Sequence, residues 1–154
     1  MVDLKALDRG ELIATSGGAL LAISLLLPWY SLGNGFARLN SCHGPGTSCS
    51  GWHALSAMRF VLLAAALAPA VLAWIVARGH VLAWPRGEVT AMVALLALVL
   101  ILFLGVIDRP GSPSEEISID FGWWVALLGG LLIVAGSLWR SRESAPRRKP
   151  PGVL

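Results

Sequence analysis

Residues 41–53, SCHGPGTSCSGWH, hold both cysteines of the chain, Cys42 and Cys49, and two of its three histidines, His43 and His53. Thiolate and imidazole are the ligand types of tetrahedral zinc, while two nearby thiols can act as a redox couple or close a structural disulfide. Spacing discriminates among these chemistries. The C-x-x-C of redox pairs and the C-x-x-C-H of haem attachment are both absent, and adjacent Cys42 and His43 are awkwardly placed for one tetrahedral ion. The intervening HGPGTS has two glycines and a proline, which lets the chain turn back and bring the sulfurs together. The reading is therefore a Cys42–Cys49 disulfide stapling a loop in an oxidising compartment, at a gain of about 2–3 kcal/mol. Zinc held by Cys42, His43, Cys49 and His53 is the alternative. No cofactor is implied.

The elements that position this loop are apolar. The chain has 154 residues of which only 14% are charged, and its mean hydropathy is +0.72; a soluble domain has about a quarter of its residues charged. Apolar runs at residues 12–32, 54–77, 89–107 and 121–139 each approach the ~20 residues that cross a ~30 Å hydrocarbon core as a helix. None alternates like a barrel strand, so helices are the spanning solution. The predicted fold is all-α: an integral membrane bundle of four helices over residues 1–139, followed by a basic, Pro-rich disordered tail at 140–154.

Basic residues set the expected orientation. With both termini inside, the inner segments carry Lys5, Arg9, Arg78, Arg86, Arg140, Arg142, Arg147, Arg148 and Lys149, and the outer segments only Arg38, Arg59 and Arg109. Trp29, Tyr30, Trp52, Trp123 and Trp124 then form an outer aromatic belt, with Trp74, Trp84 and Trp139 at the inner boundary. Lys5 and Arg9 ahead of an apolar run also fit a signal peptide cleaved near Gly35–Ala37, but the length of the run and its Pro28-Trp29-Tyr30 closure favour an uncleaved span. In the tail, Arg147, Arg148 and Lys149 suit anionic lipid head groups. The net charge of +3 is dispersed between apolar runs, so nucleic acid is not an expected partner.

Small residues recur in the first and last helices. Gly10, Gly17, Ser24 and Ser31 are seven apart, as are Gly122, Gly129 and Gly136, and each series contains a doublet, Gly17-Gly18 and Gly129-Gly130. Seven-residue spacing keeps positions on one stripe, and small residues there let membrane helices approach closely. These helices are expected to pack antiparallel along the stripe, or else to turn it toward a partner. Pro69 is expected to kink the second helix.

Transport, proton relay and intramembrane catalysis commonly use charged groups within the bilayer, and the one charged residue in the four runs is Arg59, close enough to one end to snorkel. No phosphate loop, zinc-binding helix motif or hydrolase arrangement is legible. The expected function is non-enzymatic: a scaffold or accessory subunit that packs with itself or with a larger membrane complex, in contact with membrane lipid. The alternatives are a channel or transporter component formed on oligomerisation, and a metal- or redox-active outer loop.

GELIATSGG with LLPWY, then SGWHALS, then FGWW and the second GG resemble a family of small four-helix membrane proteins from actinobacteria. That resemblance implies a multi-pass protein of the bacterial plasma membrane and carries no assigned activity. The layout is also similar to claudin-like tetraspans, which share four helices and a first outer loop with a Trp and two Cys. Here Gly51-Trp52 follows the cysteines, whereas the claudin G-L-W element precedes them, so the similarity is one of layout and no claudin residue is carried over.

Overall fold

A computed structural model describes residues 9–33, 37–78 and 86–144. It is mostly helical, with a small β cap at one end. In order come α1 (Arg9–Ser24), β1 (Pro28–Leu32), β2 (Arg38–Leu39), β3 (Cys42–His43), β4 (Ser48–Ser50), a single turn α2 (Gly51–Ala54), α3 (Met58–Ala77), α4 (Arg86–Leu102), β5 (Ile117–Ile119) and α5 (Phe121–Ser144). A π-helical turn, Phe103–Ile107, extends α4.

Among the described residues, three helical segments are long and apolar enough to cross a membrane: Met58–Ala77, Glu88–Ile107 and Phe121–Arg142. Less than half of each is buried within the protein, so a belt of Leu, Val, Ile, Phe and Trp faces outward. The described residues of α1 number 16, fewer than in those three segments. It packs most extensively against α5. Around the bundle the helices run α3, α1, α5, α4, and the α3–α4 seam that closes the ring is the least extensive of the four.

The first helix ends at Ser24, eight residues before the expected boundary at 32. Pro28 explains this: its ring disfavours a helical Leu27, and it has no N–H to give to a helical ladder. The following PWYSL has two aromatic residues that suit a pleated strand. It becomes β1, the centre of a three-stranded antiparallel sheet ordered β4-β1-β5. Tyr30 faces Cys49 on one side and Ile119 on the other, with a register irregularity between Pro28 and Tyr30. Strands from both segments at this end of the bundle are thus joined, and the fold is not all-α. Ser31, assigned by spacing to the helix stripe, lies instead on β1 with its Oγ 2.7 Å from Ser118 Oγ.

Other boundaries also shift. The second apolar run divides into the turn α2 and the helix α3, which continues through Pro69. α5 runs to Ser144, so residues 140–144 of the expected disordered tail are helical. Arg147, Arg148 and Lys149 lie outside the described residues, as do Lys5 and Trp84.

Candidate functional site

The doubled glycines sit at corners of the bundle. A Cβ on Gly17 would lie 2.8 Å from the Gly129 carbonyl oxygen and 2.8 Å from Ile133 N. Reciprocally, one on Gly129 would lie 2.9 Å from Gly17 O, and one on Gly10 would lie 2.8 Å from Gly136 O. Gly10, Gly17, Gly129 and Gly136 therefore bring the α1 and α5 backbones together. Their neighbours do a different job. Gly18 faces the Ala66 carbonyl and Pro69 of α3, and Gly130 faces Leu98 of α4. Consecutive helical residues are about 100° apart, so each doublet admits two neighbouring helices at once. Gly122 belongs to the cap end, where a Cβ would lie 2.6 Å from Pro28 O, and Ser24 closes α1 with its Oγ donating to Leu21 O at 2.6 Å.

The expected outer belt is divided. Trp124, on α5, is exposed, whereas Trp29, Tyr30 and Trp123 are buried. The buried three satisfy their polar tips on helix carbonyls: Trp29 Nε1 donates to Ser24 O at 2.7 Å, Trp123 Nε1 to Ile101 O at 2.8 Å, and Tyr30 OH to Leu104 O at 3.1 Å. They seat the sheet on the helices, since a buried aromatic with a polar tip both fills space and answers carbonyls freed at helix ends and wide turns. Burial pushes the Tyr30 hydroxyl well above its usual pKa, with the Arg109 charge acting against the shift. Two glycines unflagged by spacing make room for these rings. A Cβ on Gly51 would lie 2.8 Å from Trp29 Nε1, and one on Gly105 would overlap the Trp123 indole.

In the cap, Cys42 and Cys49 form a disulfide with Cα atoms 5.9 Å apart. It links the β2–β3 hairpin to β4. With both sulfurs bonded to each other, neither remains a thiolate ligand, which removes the basis for the four-ligand zinc reading. His43 Nδ1 lies 3.1 Å from Ser41 O, and His53 Nδ1 is 2.9 Å from Ser50 Oγ. Among the described residues, no three His, Cys, Asp or Glu come together as a metal-binding group. Asn40, with φ at 47°, turns the hairpin, and its side-chain amide donates to the Ala54 carbonyl oxygen, tying the hairpin to α2.

Two charged features stand out. At the start of α3, Arg59 donates from Nη1 to Trp52 O at 3.1 Å, with its guanidinium 5.0 Å from the Trp52 ring centre and 4.9 Å from that of Phe60. At the far end of the α1–α5 contact, Glu11 and Arg140 form an ion pair at 4.0 Å, each side chain 5% exposed. The sequence places these two charges just outside the apolar runs; the close approach at Gly10 and Gly136 and the continuation of α5 bring them inside. Comparison with known protein families, with curated proteins and with solved structures gives no match.

Proposed function

We propose that the chain is a non-enzymatic, multi-pass protein of the bacterial plasma membrane that presents a rigid extracytoplasmic cap, acting as a scaffold or accessory subunit beside a membrane-protein partner or a second copy. α1 is the fourth membrane segment in this reading, sheltered by α5 and α3, and both termini are cytoplasmic. The disulfide at the cap end supports that orientation, because disulfides persist in oxidising compartments. So does the element order, in which a first segment of four strands and a second contributing β5 build one cap between helices, in keeping with a tetraspan layout.

The observation that carries the reading is the construction of the cap. Strands from both segments share one sheet, a disulfide braces it, and buried Trp29, Tyr30 and Trp123 anchor it to the bundle. Such bracing suits a surface held in fixed shape for recognition. The glycine stripe is consumed by the α1–α5 contact, so a partner would meet the cap or the outward apolar faces. Native mass spectrometry of the protein released gently from its own membranes tests this. A stoichiometric companion protein or a defined homo-oligomer is the expected result. A monomer with no companion that conducts ions or solutes in liposomes would refute it in favour of a transport role.

A further inference from the structure

Two cavities share Phe60 in their walls. One, of about 530 Å³ at the cap end, is polar and is lined by Asn40, Ser41, His53, Ser56, Arg59 and Phe60 among others. The other, of about 510 Å³, is an apolar groove between α3 and α4, with Phe60 and Val61 at its mouth and Ala64, Ala68 and Ala97 along it. The groove occupies the loosest seam of the bundle, where short alanine side chains leave the two helices apart. From Phe60 to Ala68 it extends about 12 Å along α3, close to the depth of one leaflet of a ~30 Å hydrocarbon core.

The polar cavity has the character of an anion site. None of the described residues lining it is acidic. Arg59 is braced there by two aromatic rings and by the Trp52 carbonyl, which accepts from Nη1 and so uses one of its five N–H groups. His53 commits Nδ1 to Ser50, leaving its second ring nitrogen for a ligand, and the Ser41 and Ser56 hydroxyls add further donors. A guanidinium lining a cavity free of acidic residues favours a phosphate oxygen, and the apolar groove, the other pocket that Phe60 lines, favours a hydrocarbon chain.

We propose that this composite site holds one anionic phospholipid, its phosphate at Arg59 and an acyl chain in the α3–α4 groove. The inference rests on the membrane-embedded reading of the helices and on no partner or activity. The test is native mass spectrometry of the full chain in detergent, titrated separately with phosphatidylglycerol, phosphatidylcholine and inorganic phosphate. One saturable phosphatidylglycerol adduct is expected, undisplaced by millimolar phosphate and absent with phosphatidylcholine. Arg59→Gln should weaken it roughly tenfold or more through loss of the charged hydrogen bonds. Ala68→Leu leaves Arg59 and the cap in place and should weaken it roughly fourfold for each methylene it displaces from the groove.

Equal uptake of phosphatidylcholine, displacement by phosphate alone, no adduct, or retention unchanged in folded Arg59→Gln and Ala68→Leu would each overturn the proposal. An intact disulfide mass and native helical circular dichroism identify folded variants. Flotation of the wild type with phosphatidylglycerol vesicles tests the membrane reading separately. A chain that floats but binds no lipid specifically overturns the site alone, whereas one that fails to float overturns the membrane reading.

Discussion

Replacing Gly17 by alanine places one methyl carbon 2.8 Å from Gly129 O, Ile133 N and Leu132 Cβ. Two of those three atoms are backbone, so no rotamer change relieves the overlap. Ordinary contact begins near 3.4 Å, and the deficit of about 0.6 Å must be met by separating α1 from α5. A radial gap of 0.5–1 Å forfeits a quarter to a half of each dispersion contact. If the seam equals the ~50 atom contacts of one buried leucine at ~0.15 kcal/mol each, losing about a third costs about 2.5 kcal/mol. Alanine returns about 1 kcal/mol through its better helix propensity. The net expectation is a destabilisation of about 1.5 kcal/mol, with Gly17→Leu considerably worse. Ala19, exposed on the same helix, is the control: Ala19→Leu should be nearly neutral. Reversible unfolding in mixed micelles, followed by tryptophan fluorescence and far-ultraviolet circular dichroism, measures all three. If Gly17→Ala matched or exceeded the wild type, the reasoning that backbone proximity holds α1 on α5 would be wrong.

Three further outcomes follow from the same geometry. Reduction of the Cys42–Cys49 bond, or its replacement by serines, should cost about 2.5 kcal/mol from the entropy of the reopened loop, read as a lower unfolding midpoint in denaturant. Glu11→Ala and Arg140→Met should each destabilise the protein, since each removes one half of a buried ion pair. The double variant should lose less than the sum of the two, and a double-mutant cycle that returned strict additivity would show that the pair contributes nothing. Tyr30 keeps its proton when folded because burial raises its pKa, while in the unfolded chain it titrates near 10. Above that pH the unfolded state holds fewer protons than the native state, so stability falls as pH rises. A wild-type unfolding free energy that stayed level from pH 9 to 11, or fell in parallel with that of Tyr30→Phe, would contradict this.

Much of the bundle is legible because long apolar runs and close contacts leave strong marks. A long apolar run can bury its backbone only as a helix, and glycines at heptad spacing mark a face even without knowledge of what they meet. The second member of each doublet was harder to place. Sequence position groups Gly18 and Gly130 with the stripe, yet they serve α3 and α4, a distinction that depends on the ring order of the helices. The cap was less legible still. PWYSL is as apolar as the helix before it, so hydropathy merged the two, and only Pro28 marked the change. Trp29, Tyr30 and Trp123 fit a lipid belt by position, but their polar tips find carbonyls inside the fold, one of them Leu104 O in the π-helical turn. That turn has no pattern in FLGVI except Gly105, whose role depends on an indole from another helix.

The glycine doublets also account for the unevenness of the bundle. Gly17 and Gly129 fix α1 against α5 at backbone contact, and Gly18 and Gly130 then draw α3 and α4 onto that pair from either side. Among the described residues no glycine pair joins α3 to α4, whose facing positions include Ala64, Ala68 and Ala97 beside larger residues such as Val93 and Leu96. Alanine is small enough to leave a gap but carries a Cβ, so it does not permit the backbone approach of a glycine pair. A four-membered ring with three tight edges can leave the fourth open without losing its shape. The cap reinforces this. β1 continues from α1 and β5 leads into α5, and their pairing ties together the two helices already in closest contact. α3 is held at its start by Arg59 on Trp52 and by the Asn40 link to α2. α4 is held at its end by the carbonyls given to Trp123 and Tyr30. Because α3 and α4 are each fastened to the cap and not along their length to one another, the seam between them is where the bundle can admit a chain of another molecule.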